Sequence, residues 1–444
     1  MSFINSTLSN IRLYLFMCSW FASISSIIWN DGNNIITEIG IFTFGLFCIL
    51  TIPYLRLQSY IIVFFLVILA YLIFEDMPSN QDLILGGKFV LIFAGLIPTM
   101  SLVRSAAQKF ESIKTTQKSL ANLSSKETAA GFQITGHIFG GIINTGVFSI
   151  LAAAIPPKSD KTYRKIVAEA SIRGMVSSAT WSPFFVAFAI GQVYIDTLNS
   201  WIGLSIGIVI SILFVFFSII IINPNSNFKN LRSVLSCLAP VGVLLISIIF
   251  IVLIISIIFK LTALSAVITV MPVLVIVQCL LKPSITNEIS KETLLSMRKN
   301  IDDVLIITLA MFIGYFVSNN NSELLSNWSE YFLFIPEWFV LIFIPLSMAL
   351  VSMIGIHPVI SSTFLLSVFT GKNFDLNLAL IMQAHLIGWC AGTISSVASL
   401  SVLTSSALFK VPTYKLAFGI NALMAIFLSV FGGLILNLLS FVII

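Results

Sequence analysis

Few side chains in this sequence can take part in chemistry, and they gather in four places. His137, Asn144 and Thr145 interrupt one apolar stretch, and Arg173 leads into the run Ser177-Ser178-Ala179-Thr180-Trp181-Ser182-Pro183. His357, Ser361, Ser362 and Thr363 interrupt a second stretch, which is followed by Gln383, His385, Thr393, Ser395 and Ser396 and then by Ser399, Ser401 and Thr404-Ser405-Ser406. Neutral Ser, Thr and Asn oxygens are hard ligands that suit Na⁺. The Gly and Pro residues among them let a helix unwind, which frees carbonyls for a cation and turns helix N-termini toward an anion. The candidate solute- and ion-binding residues are therefore Asn144, Thr145, Ser177, Ser178, Thr180, Ser182, Ser361, Ser362, Thr363, Thr393, Ser395 and Ser396. Close helix packing is the better account of any one of these serines taken alone. Four clusters, repeated across the chain, favour a solute site.

All three histidines lie in or beside these clusters, and intramembrane ionisable residues are candidates for function. His137 or His385 could carry a coupling proton, or each could be a neutral ring bonded to a backbone carbonyl. No Asp or Glu sits deep in an apolar run: Asp302 and Asp303 stand at a helix start and Glu38 near an outer end. That favours Na⁺, or H⁺ taken up by histidine, over a carboxylate proton relay. The segment from Lys158 to Arg173 reads as an interfacial helix with solvated charges, with Arg173 able to attract an anion. The five cysteines are single and show no metal-ligand spacing. No catalytic set and no cofactor motif emerges, so the chain reads as a non-enzyme without a cofactor, apart from a coupling Na⁺ or H⁺.

The elements that hold these residues must be membrane helices. Of 444 residues, 58% are hydrophobic and 9% charged, against roughly 25% charged in soluble domains; mean hydropathy is +1.06. Apolar runs long enough to cross a bilayer recur from end to end, and no polar stretch is long enough for a soluble domain. The net charge of +5 is no nucleic-acid signature, because the basic residues lie between the apolar runs. Helices are expected near 12–29, 36–54, 59–75, 83–103, 174–194, 198–222, 233–259, 261–281, 301–318, 376–409 and 414–441. The first of these has no small-residue cleavage site after it and reads as a retained helix.

Two more apolar stretches, about 129–156 and 338–372, fit poorly as single spans. Basic residues flank the first on both sides, so one crossing would strand a cluster outside, against the positive-inside bias. Gly140-Gly141 and Asn144-Thr145-Gly146 within it, and Gly355-Ile356-His357-Pro358 within the second, are good hairpin chemistry. Two re-entrant hairpins plus about eleven spans leave every Lys and Arg except Lys88, Lys260 and Lys372 on the cytoplasmic side. The N-terminus is then inside and the C-terminus outside. The acidic residues Glu75, Asp76 and Asp82, and Glu323, Glu330 and Glu337, fall outside.

The chain also repeats at half-length. Gly174-Met175-Val176-Ser177-Ser178-Ala179 matches Gly392-Thr393-Ile394-Ser395-Ser396-Val397 at an offset of 218 residues, and the same offset carries Asn144-Thr145 onto Ser362-Thr363. The topology gives the halves opposite orientation, which is the inverted-repeat plan of secondary transporters with discontinuous helices. The expected organisation is a single membrane domain over 1–444. It consists of an extra first helix (1–30), a first repeat (31–226, hairpin about 129–156) and a second repeat (227–444, hairpin about 338–372).

On these features the chain resembles the ion transporter superfamily, in particular the divalent anion/sodium symporters, with the large membrane subunit of tripartite periplasmic transporters as a relative. The symporters carry Ser-Asn-Thr at each hairpin tip. Here the tips read Ile143-Asn144-Thr145 and Ser361-Ser362-Thr363, each keeping two of the three. The resemblance implies a scaffold and a moving transport part, elevator-like displacement, and a homodimer. The expectation is an inner-membrane secondary transporter of a small anionic solute, driven by an ion gradient, with the lipid bilayer and the solute as partners and no nucleic acid. A cation/proton antiporter of the same superfamily is the alternative. A membrane glycan polymerase or ligase is a third reading, disfavoured because the longest outer loop, 319–337, is short and acidic.

Overall fold

In a computed structural model the protein is all-α. The structure describes residues 2–29, 35–73, 78–156, 158–222, 228–319, 332, 334–370 and 376–442. Helices α1 (Ser2–Trp29), α2 (Ile35–Thr51), α3 (Leu57–Ile73) and α4 (Asn80–Ala107) are followed by α5 (Glu111–Ala121), α6 (Ser125–Ile143), α7 (Val147–Ala153) and α8 (Lys161–Ser177). Then come α9 (Val186–Tyr194), α10 (Thr197–Ile222), α11 (Phe228–Ile258), α12 (Ala263–Leu281), α13 (Thr286–Lys299) and α14 (Ile301–Asn319). The chain continues with α15 (Glu337–Met353), α16 (Pro358–Phe369), α17 (Leu378–Ser395), α18 (Leu400–Phe409), α19 (Thr413–Ala417) and α20 (Ile420–Ser440).

Among the described residues, nine helical stretches are long and apolar enough to cross a bilayer, with shorter apolar helices besides. Two of the nine, Glu127–Ala153 and Leu378–Phe409, pass over a break in the helix. The chain is a polytopic membrane protein. Most of the expected spans form as helices, but 174–194 does not: α8 begins at Lys161, ends at Ser177, and α9 resumes only at Val186. The charges of that segment are also not all solvated, since Glu169 and Arg173 are buried. The amphipathic helices α5 and α13 are additions, set in polar sequence where apolar runs give no signal. Most of the 319–337 loop, with Glu323 and Glu330, and also Glu75 and Asp76, lies outside the described residues.

The helices fold as two compact units, and each unit draws on both halves of the chain. The first comprises residues 1–109 and 250–326 and is organised around α4, which packs against α1, α2, α12, α13 and α14. Small residues let these helices approach: a Cβ on Gly95 would meet the Ser23 hydroxyl at 2.5 Å and one on Gly87 would meet Ile41 at 2.5 Å. Trp20 donates to Thr99 Oγ1 at 3.0 Å, which satisfies a buried indole. Below α4, Lys109 is held by Glu288 and Glu292 of α13 at 2.9 and 2.8 Å.

The second unit, residues 110–249 and 327–444, holds both interrupted stretches and both broken helices. Local sequence sets its helix ends. Asp160 caps α8, accepting from the Tyr163 N–H at 2.6 Å, and Asn377 caps α17, accepting from the Ala379 N–H at 2.9 Å. Asn144 stops α6 with φ of +50° and ψ of −136°, a backbone that cannot continue the helix. Gly355, at φ +95°, follows the end of α15.

Candidate functional site

Four elements of the second unit carry the candidate residues, and they form two equivalent pairs. The first pair is α6–α7 with its turn at Asn144–Gly146, and α8 with the broken segment that leads to α9. The second is α15–α16, joined at Ile354–His357, and α17 with the break at Ser396–Ser399. The 218-residue offset relates one helix end and one glycine in each pair. Helix α8 ends at Ser177 and α17 at Ser395, which are equivalent at the 218-residue offset. Gly174 and its equivalent Gly392 both lie in tight helix contacts. A Cβ on Gly174 would sit 1.9 Å from the Gln133 carbonyl of α6, and one on Gly392 would sit 2.6 Å from the Ser352 hydroxyl of α15.

The pairs then exchange partners. Helix α7 and the Asn144–Gly146 turn pack on α18, which belongs to the second broken helix, while α16 packs on α9 of the first. Each interrupted stretch therefore rests its first arm on the broken helix of its own half, and its second arm also reaches that of the other half, α16 packing on both α17 and α9.

Two histidine networks fasten this arrangement. The Trp181 Nε1–H donates to His137 Nε2 at 3.1 Å, and His137 Nδ1 lies 3.0 Å from Ser177 Oγ, which donates to the Gly174 carbonyl at 2.8 Å. Because an indole only donates, the network selects the neutral imidazole with its proton on Nδ1. His385 has the opposite tautomer. Its Nε2 faces the Ala187 carbonyl of α9 at 2.9 Å, which only accepts, so Nδ1 accepts from Ser362 Oγ at 3.0 Å. A second proton on His137 would break the Trp181 bond. His385 could take one, since a carbonyl and a hydroxyl both accept.

The other candidates divide between internal and open. Ser178 donates to the Met175 carbonyl at 2.6 Å, Thr180 to those of Ser177 and Gly207 at 2.9 and 3.2 Å, and Ser395 to Ala391 at 2.8 Å. Ser182 donates to the Gly141 carbonyl, joining the first break to α6. Ser361 donates to Pro358 at 3.2 Å, Ser396 Oγ accepts from the Ala398 N–H at 3.3 Å, and Thr393 is half-buried. Asn144 Oδ1 accepts from the Thr145 N–H at 2.7 Å within the turn. The Thr363 hydroxyl, by contrast, is buried and has no partner among the described residues. The turn of the second stretch falls at Ile354–His357, so Ser361, Ser362 and Thr363 stand inside α16 and not at a tip. Pro358 is the reason: it starts α16 at the position where proline is favoured, with His357 Nδ1 accepting from the Val359 N–H at 3.2 Å as the cap.

Arg173 is not open to an anion. It is 2% exposed and donates to Asn421 Oδ1 of α20 at 2.7 Å and to Gln133 Oε1 at 3.4 Å. Gln383, its amide nitrogen turned inward, donates to the Thr180 and Gly203 carbonyls at 3.0 and 2.9 Å. Asn421 and Gln133 escaped the sequence reading, although each is a polar amide in an otherwise apolar run, which is the signal that could have found them.

No protein-family model matches the sequence, and no curated protein matches it. One solved structure similar to it is the YdaH transporter of Alcanivorax borkumensis, whose topology is described as unusual. It aligns with 87% of this chain and 97% of its own at 13% identity and a TM-score of 0.43. Likeness at that level leaves the chemistry to be argued from the chain itself.

Proposed function

We propose that this chain is an ion-gradient-driven secondary transporter of a small anionic solute, working by elevator-like alternating access in the inner membrane. The observation that carries this reading is the exchange of partners in the second unit. Two helix–turn–helix stretches and two broken helices, whose first arms end at Ser177 and Ser395 one offset apart, pack within one compact unit. Irregular backbone at membrane depth is tolerated where it is buried in protein or lines a solute cavity, and paired discontinuous helices place sites for solute and ion near the midplane. The unpartnered Thr363 hydroxyl on α16 faces a need for a ligand, and the neighbouring α9 starts without a side-chain cap, as suits an anionic group. The second unit is the moving part in this scheme, and the two repeats are inverted.

Uptake into proteoliposomes, measured with and without an imposed Na⁺ gradient, tests the proposal. Gradient-dependent accumulation of a small organic anion supports it. No gradient-dependent flux of any organic anion, arsenite or Na⁺/H⁺ exchange would sink it.

One observation favours a cation/proton antiporter as a second reading: both ring nitrogens of His385 face groups able to accept. Under that reading His385→Gln removes the pH dependence of flux while His137→Gln preserves it. Flux with unchanged pH dependence in His385→Gln disposes of the idea.

A further inference from the structure

The first unit contains a buried cation for which the described residues supply no anion. Arg12, in the early turns of α1, is 9% exposed, and its Nε and Nη1 atoms are buried without a hydrogen-bond partner. Its guanidinium carbon stands 4.0 Å from the centroid of the Tyr54 ring, so one face is covered by an aromatic while the donor edge is left unsatisfied. Carboxylates in this region are taken elsewhere: Asp302 pairs with Arg56 at 3.3 Å and accepts its backbone N–H at 2.8 Å.

Arg12 lines a small cleft that opens to the surface. The exposed Arg298 stands at the same cleft, held by a 2.6 Å hydrogen bond to Asn10. Ser9 adds a hydroxyl, and the floor is apolar, made by Phe16, stacked on Phe47 at 4.5 Å, and by Met297. Desolvating a guanidinium without an acceptor is costly, and its planar fork of donors matches a phosphate or carboxylate in two-point geometry.

We infer that Arg12, assisted by Arg298, binds a phosphate group in this cleft, the phosphate being that of an anionic phospholipid headgroup. Two arginines above an aromatic and aliphatic floor match a molecule with a phosphate at one end and hydrocarbon at the other. With the N-terminus inside, as the placement of basic residues predicts, the cleft lies at the cytoplasmic leaflet, where anionic lipid and basic residues meet. This inference does not rest on transport: it holds for any polytopic protein with this geometry.

The test uses the full chain purified in a neutral detergent. Thermal stability is followed during titration with phosphatidylglycerol, phosphatidylcholine or inorganic phosphate, for the unaltered protein, Arg12→Gln and Arg298→Ala. The expected result is saturable protection by phosphatidylglycerol, with the midpoint shifted at least about tenfold by Arg12→Gln and less by Arg298→Ala, as befits loss of a charge-assisted contact. Equal protection by inorganic phosphate, lost in the same variants, would overturn the lipid assignment in favour of a free phosphate ligand. Identical titrations for the unaltered protein and Arg298→Ala, whose exposed side chain can be removed without harm to folding, overturn the site even if Arg12→Gln does not fold.

Discussion

At the scale of the residue, the two histidines that looked interchangeable differ in what surrounds them. His137 is locked between a donor, Trp181, and a hydroxyl, Ser177, inside the first half of the repeat. His385 joins three elements, its own helix α17, Ser362 of α16 and the Ala187 carbonyl of α9. A double-mutant cycle of Ser362→Ala and His385→Gln, read by thermal stability in detergent, should give a coupling of about 0.6–2 kcal/mol, the span seen for interhelical hydrogen bonds in membranes. Trp181→Phe keeps the aromatic body but leaves His137 Nε2 without a donor; it should cost about 1–3 kcal/mol of stability. Stability unchanged in Trp181→Phe would contradict the tautomer assigned to His137. For transport, Thr363→Val is the sharper probe. Its hydroxyl bonds nothing among the described residues, so the variant should fold with unchanged stability yet lose solute affinity, measured as a raised half-saturation of uptake.

At the scale of the element, glycine placement decides how closely the pairs can pack. Gly174→Ala would drive a methyl into a backbone carbonyl at 1.9 Å, whereas Gly392→Ala meets a serine side chain at 2.6 Å. Backbone cannot rotate away and a side chain can, so Gly174→Ala should be the more damaging of the two. It should cost roughly 1–3 kcal/mol or more, with Gly392→Ala smaller; the reverse order in thermal melts would show that the α6–α8 contact is looser than described. A second element-level prediction concerns α13. Hydrogen bonds to Glu292 and then Glu288 hold the Lys109 ammonium above the usual lysine range. A raised folded-state value stabilises fully below the ordinary lysine pKa and is lost as pH rises through the raised one. Lys109→Met should therefore lower stability by about 0.5–1 kcal/mol, a modest effect because both carboxylates are well exposed. The deficit should be constant through neutral pH and close only in strong alkali.

At the scale of the whole molecule, the proposal makes a topological demand. The Asn144 turn and the start of α16 should open to opposite sides of the membrane. In a cysteine-free background, Asn144→Cys and Ser361→Cys, both half-buried positions, should react with a membrane-impermeant maleimide from opposite faces. Labelling of both from one face would remove the inverted arrangement and with it the elevator scheme.

Solvent class and the helical elements were legible in the sequence because each follows from local quantities. Apolar length demands a membrane span, Asn144, Gly355 and Pro358 interrupt helices through their own backbone preferences, and Gly174 and Gly392 share an offset that can be counted. Other features arise from contacts between residues far apart in the chain. Arg173 read as able to attract an anion because nothing nearby in sequence reveals Asn421, 248 residues away. Ser361, Ser362 and Thr363 read as a tip because short motifs do not say which of several breakers ends the helix, and Pro358 did so earlier. The exchange of α16 onto α9 and of α7 onto α18, the opposite tautomers of His137 and His385, and the lone guanidinium of Arg12 all belong to tertiary structure. Hydrogen-bond partners and desolvation are set by whichever chain segments fold against a group, and those segments are not its sequence neighbours.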